Sequence, residues 1–272
     1  MNTTTTAAKF PASLEIISHP AAGNAHRTPL LFVHGAYVAA WCWEEHFLPW
    51  FARHGWDVYA LSLTGHGLSR GRVDLDHLSL DNYVADVAEV AAALPSPPAL
   101  IGHSMGGMVV QKYLERAAAP AVVLMASVPP QGLIGSALGM LFTAPHLLFD
   151  LNRIMGGGEP SVDSLREALF HQPIATEKLQ QYWRQSQPES HRALWDMTLY
   201  NLPHPGKAHK APMLVIGAEY DRLVPPNQVY ATANTYGVRP EIFAGMGHGM
   251  MLERGWETVA TRIEEWLGAQ GL

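Results

Sequence analysis

Apolar residues recur along this chain in two alternating rhythms. Short continuous runs stand at 14–17, 29–33, 58–63, 99–101, 121–126, 212–217 and 240–244, bounded by Gly, Pro and polar residues. Runs of that length, rich in Val, Ile and Leu, predict strands. Between them the period lengthens. Over 81–94 the apolar positions Val84, Val87, Ala88 and Ala91 share one helical face, with Asp81 as the expected cap and Pro95 as the stop. The stretch 108–115 also reads as helix. Pro225 and Pro226 open another that Gly237 ends, and the last covers 256–267 with Val259, Ile263, Trp266 and Leu267 inward. Strand and helix in alternation predict an α/β fold, a mostly parallel central sheet with helices on both faces.

That alternation fails from about 128 to 205. No strand-like run occurs there, whereas 162–170, 177–185 and 189–200 read as helices. Gly156-Gly157-Gly158 and Pro203-His204-Pro205-Gly206 have the composition of hinges or linkers. The expected organisation is a core domain of 1–127 and 206–272, with 128–205 inserted as a helical cap between the sixth and seventh strands. A cap over a reactive side chain would shape its pocket and exclude water. Leu138, Met140, Leu141, Phe142 and Phe149 are the apolar candidates to line it, or else they bury the cap on the core.

The candidate chemistry begins at Gly102-His103-Ser104-Met105-Gly106, a G-x-S-x-G pentapeptide between a strand and a helix. In that context a sharp turn holds the serine hydroxyl out above the sheet, and glycines on both sides relieve the crowding. The alternative is a Gly-rich turn whose serine merely caps a helix. A serine nucleophile needs a base, and the base needs an orienting carboxylate, in the chain order Ser, acid, His. Asp221 follows the run at 212–217, and His248 follows the run at 240–244. Both therefore stand past strand ends, where sites form in open α/β sheets. Glu219 competes with Asp221 in the same loop; Asp150, Asp163 and Asp196 belong to another region. The His34-Gly35 turn after the run at 29–33 supplies a further requirement. One oxyanion-hole N–H is expected from Ala36, with Tyr37 as the alternative, and the other from Met105. His34 is expected to hold this loop by its hydrogen bonds. Tyr37, His103, Leu138, Met140 and Phe142 are the expected substrate-pocket residues.

Four segments in this order, His34-Gly35, Gly65-His66-Gly67-Leu68-Ser69, the serine pentapeptide, and the pair Asp221 and His248, resemble the α/β-hydrolase fold superfamily across 30–252. Trp41, Trp43 and Ser62-Leu63-Thr64-Gly65-His66-Gly67 are similar to its single-domain carboxylesterases and lysophospholipase-like hydrolases. One departure stands out: many relatives carry an acidic residue at Ser62 and Pro or Arg at Thr64. The resemblance implies a serine hydrolase that cleaves small to medium, fairly apolar carboxylic esters through an acyl-enzyme. The same triad in relatives serves thioesterases, lactonases, C–C hydrolases, perhydrolases and hydroxynitrile lyases, because function lives in the pocket. A receptor-like ligand-binding protein is the alternative from another class.

Composition narrows the partners. The 272 residues are 48% hydrophobic and 15% charged, with a formal net charge of −6 and no basic block, so nucleic acid is not an expected partner. The single cysteine, Cys42, excludes an internal disulfide and reads as a buried apolar thiol. Cys and His spacings show no zinc pattern, and no cofactor is expected. The Thr-rich stretch 1–9 lacks the layout of a secretory signal and reads as a disordered tail. The apolar stretch 132–149 contains Gly135, Gly139 and Pro145, and falls short of the ~20 apolar residues of a membrane span. The expectation is a cytoplasmic monomer or homodimer acting on a small-molecule ester, without stable membrane insertion.

Overall fold

The computed structural model describes residues 10–135 and 162–272. Seven strands, β1 (Ile16–His19), β2 (Leu30–Val33), β3 (Val58–Leu61), β4 (Ala99–His103), β5 (Val122–Met125), β6 (Met213–Ala218) and β7 (Pro240–Phe243), lie in the spatial order β1-β3-β2-β4-β5-β6-β7. Only β1 runs antiparallel, pairing Ile16 with Leu61. The other strands are parallel and in step, with Leu30 beside both Val58 and Ala99.

The helices are α1 (Trp41–Glu44), α2 (Phe47–Arg53), α3 (Leu80–Ala93), α4 (Met105–Tyr113), α5 (Val162–Leu169), α6 (Thr176–Gln185), α7 (His191–Trp195), α8 (Pro226–Tyr236) and α9 (Trp256–Ala269). The side-chain alternation of each strand divides the core in two. Leu30, Phe32, Ala99 and Ile101 face a layer made by α1, α2 and α9, while Leu31, Val33 and Leu100 face α3, α4 and α8. In the first layer Phe32 is buried among Trp43, Phe47 and Phe51, at ring separations of 5.0, 6.3 and 5.6 Å. Covering both faces with apolar side chains is what lets a parallel sheet form from continuous hydrophobic runs.

Several boundaries differ from the sequence expectation. Helix α3 starts at Leu80, so Asp81 is already inside it. The cap is Ser79, whose extended backbone and side chain form a reciprocal capping box with Asn82. Asp81 instead accepts from Arg116 and Asn201. Helix α4 begins at Met105, directly after the serine turn. The expected helix at 189–200 is α7 followed by a π-helical turn, Asp196–Tyr200.

The insertion enters after β5 and returns at β6, not between the sixth and seventh strands, because the sheet has seven strands and β6 resumes at Met213. Its described helices join both core layers. Phe170, Leu179 and Tyr182 pack with the α1, α2 and α9 side; Ala193, Leu194 and Met197 pack with the other. The 1–9 tail, Leu138, Met140, Leu141, Phe142, Phe149 and the glycines at 156–158 lie outside the described residues. Among the described residues no helix is long and apolar enough to cross a membrane.

Candidate active site

Ser104 stands between β4 and α4 with φ 53° and ψ −119°. A non-glycine residue there is strained by about 1–3 kcal/mol, and surrounding contacts must hold it. Its N–H donates to the Met125 carbonyl at 3.1 Å, and its carbonyl accepts from Gly107 N at 3.0 Å and Val128 N at 3.1 Å. Glycine makes the turn possible by close approach. A Cβ on Gly102 would lie 2.5 Å from the Gly106 carbonyl oxygen, and one on Gly106 would lie 2.3 Å from that of Val33.

His248 and Asp221 arrive from the loops after β7 and β6. The His248 Nδ1–H donates to Asp221 Oδ2 at 2.7 Å, and both side chains are buried. The other carboxylate oxygen accepts from Leu223 N and Val224 N, each at 2.8 Å, so Asp221 is fixed before it meets the imidazole. Its rival Glu219 points elsewhere and accepts from Gly245 N. The serine turn and the histidine loop meet through His103, whose Nε2 donates to the His248 carbonyl at 2.9 Å, with the two rings 4.6 Å apart. His103 was expected to line the pocket. It is instead buried under His248 and edge-on to Trp43, because the last residue of β4 faces the α1, α2 and α9 layer. Burial first, and then the neighbouring His248, hold its pKa well below the ordinary imidazole value.

The turn 34–37 lies against the serine: a Cβ on Gly35 would be 3.0 Å from Ser104 Cβ. His34 holds this turn. It accepts from Leu63 N at Nε2, so Nδ1 carries the proton and donates to the Gly35 carbonyl at 2.7 Å. Burial, then the charge of His66, pull its pKa down to about 3. Among the described residues, the N–H groups of Ala36 and Met105 have no hydrogen-bond acceptor. Tyr37 is half-buried at φ 66°, and its carbonyl accepts from Gln187 N at 2.9 Å.

Three carboxylates that sequence reasoning missed brace these loops. Glu15 reaches the 62–68 segment from the start of the sheet. The Ser62 hydroxyl donates to Glu15 Oε2 at 2.6 Å, which also accepts from Leu68 N. Glu189, from the insertion, is fully buried and accepts from His66 Nε2 at 3.0 Å, Tyr83 Oη at 2.7 Å and Ser190 N at 2.7 Å. His66 Nδ1 faces the Thr64 carbonyl at 3.1 Å, so both ring nitrogens meet acceptors, an arrangement that favours the imidazolium. Burial opposes that charge, but Glu189 outweighs it and raises the His66 pKa; reciprocally, burial pushes Glu189 up and His66 more than restores it below its usual range. Glu253, in the loop beyond His248, is the third. The motif Gly65-His66-Gly67 pointed towards the 66 loop, but no local pattern marks a glutamate whose partner is 123 residues away.

A family model described as the alpha/beta hydrolase family matches residues 30–262. A non-heme haloperoxidase from Rhodococcus erythropolis is 27% identical over 248 residues, covering 82% of this chain and 86% of that one. An esterase from Exiguobacterium antarcticum superposes with a TM-score of 0.72 at 17% identity, over 94% of this chain and 95% of its own. A monoacylglycerol lipase from Paleococcus ferrophilus does so with a TM-score of 0.69 at 20% identity, over 94% and 99%. These two share the fold.

Proposed function

The chain belongs to the alpha/beta hydrolase family, and on that footing we propose that it is a serine hydrolase of carboxylic esters with Ser104 as nucleophile, His248 as base and Asp221 as its orienting acid. The observation that carries this reading is the His248–Asp221 pair at 2.7 Å, joined to the strained turn of Ser104 through the preceding residue, His103, which donates to the His248 carbonyl. Ser104 Oγ attacks the ester carbonyl while His248 Nε2 takes its proton. Asp221 keeps Nδ1 protonated and stabilises the imidazolium. The N–H groups of Ala36 and Met105 receive the oxyanion, and removal of one such donor typically lowers kcat by about 100- to 1000-fold. His248 then protonates the departing alcohol and activates the water that opens the acyl-serine. Tyr37, at the edge of this turn, lines the acyl or alcohol side.

A second reading follows from the name of the Rhodococcus relative. Hydrogen peroxide in place of water would open the same acyl-serine to a peracid, regenerating the serine hydroxyl. The peracid would then oxidise halide without a metal.

The test is hydrolysis of p-nitrophenyl esters from acetate to palmitate by wild type and Ser104→Ala. Loss in the variant by about 10⁴-fold or more supports the serine mechanism. Activity retained in the variant overturns it. Halide oxidation from acetate and peroxide, with little ester hydrolysis, selects the peroxide reading.

A further inference from the structure

Glu253 has no role in the chemistry just described, yet it is almost completely buried and its two oxygens collect three backbone N–H groups. Oε2 accepts from Gly247 N at 2.5 Å, next to His248 in sequence. Oε1 accepts from His171 N and Gln172 N, both at 2.6 Å, in the segment that leaves α5. The same segment touches the histidine loop at further points, among them the Gln172 side chain, which donates to the Gly245 carbonyl at 2.9 Å. Gly249 N donates to the Leu169 carbonyl at 2.7 Å, and a Cβ on Gly247 would lie 2.8 Å from His171 N. On the opposite side, His103 donates to the His248 carbonyl. The residues 247–249 are thus pinned between the sheet and the insertion.

We propose that Glu253 is a positioning residue for His248, which ties the loop of the base to the 169–172 segment of the insertion. The inference rests on the serine-hydrolase reading. The insertion is then more than a cover. Its α5 end is a fixed abutment of the catalytic histidine, so that part of it does not swing away during turnover.

The chemistry suggests an isosteric probe. A glutamine at 253 has one acceptor oxygen, which can serve His171 and Gln172 or Gly247, but its amide nitrogen faces an N–H wherever it points. Glu253→Gln should therefore loosen the histidine loop at unchanged volume. Ring misplacement on the scale of an ångström lowers rate by up to about 100-fold. The expected result is kcat on p-nitrophenyl butyrate lower by about 10- to 100-fold, with KM little changed. Phosphonylation of Ser104 by a p-nitrophenyl phosphonate should slow in parallel, and the acidic limb of the kcat/KM pH profile should move. Glu253→Asp, which keeps both oxygens but is shorter, should recover part of the rate. Amide exchange of 247–249 should quicken in Glu253→Gln.

A Glu253→Gln protein with a lower Tm but unchanged kcat, phosphonylation rate and pH limb makes Glu253 merely structural and overturns the proposal. So does unaltered exchange at 247–249. A wild type that neither hydrolyses esters nor is phosphonylated overturns the serine-hydrolase reading, and the role for Glu253 with it. A wild type that is phosphonylated but inert to esters overturns only the substrate class; Glu253 is then judged on the phosphonylation rate.

Discussion

The insertion is fastened to the sheet domain at two buried glutamates that solve the same problem differently. Glu189 faces an imidazolium, a tyrosine hydroxyl and one N–H. The described partners of Glu253 are backbone N–H groups. The first fastening is an ion pair in which each member depends on the charge of the other. The second places a carboxylate among the fixed dipoles of backbone N–H groups. The difference has a functional side as well. Glu189 braces the 64–67 loop, whose His66 ring lies 5.0 Å from that of His34 in the 34–37 turn. Glu253 braces the loop of His248.

The contrast breaks most visibly by truncation. Glu189→Ala leaves the His66 charge buried and alone, and removing one member of such a pair costs about 3–5 kcal/mol. Urea unfolding should show that loss. His66→Leu/Glu189→Leu, which removes both charges together, should regain a large part of it. A double variant no better than Glu189→Ala would mean that the pairing itself matters little.

The pH dependence sharpens the same contrast. The His66 pKa is raised on folding, so its contribution is fully present below its ordinary value of 6.5 and is lost as pH rises through the folded value. Arg72 opposes that rise, whereas Glu189 drives it. The Glu189 pKa is lowered, so its contribution is fully present above 4.5 and is lost as pH falls through the folded value. Both are complete together between pH 4.5 and 6.5. The stability difference between wild type and the double variant should be greatest in that window and shrink on either side. A difference that instead grows towards pH 9 would contradict the charged pair. The smallest effect is expected at the start of α3: Ser79→Ala should lower stability by about 1 kcal/mol through loss of the α3 cap, with ester hydrolysis unchanged.

Much of the site was legible in the chain because its members are marked locally. Ser104 lies within a pentapeptide whose glycines are demanded because a Cβ at either would lie 2.3–2.5 Å from a backbone carbonyl oxygen. Asp221 and His248 follow apolar runs that form neighbouring strands, β6 and β7. The burial of His103 beside His248 was not legible, because the sheet face of a strand's last residue depends on register, not on the motif around it. Asp81 was misread as a cap because Ser79, two residues earlier, offers both the hydroxyl and the extended backbone. Glu219 and Asp221 could not be separated by position alone. Only the arrival of the His248 ring at Asp221 Oδ2 separates them.

The sequence by itself determined the alternation of strand and helix, the family and the three residues proposed for the chemistry. Each rests on periodicity or on residues within a few positions of one another, where backbone sterics leave little choice. The tertiary structure alone decided what supports them. It brought Glu15 to Ser62, Glu189 to His66 and Glu253 to Gly247, and it packed the described helices of the insertion onto both faces of the core. A buried carboxylate is tolerated only where donors converge on it. Here those donors come from segments as far as 123 residues apart, so no local pattern announces them.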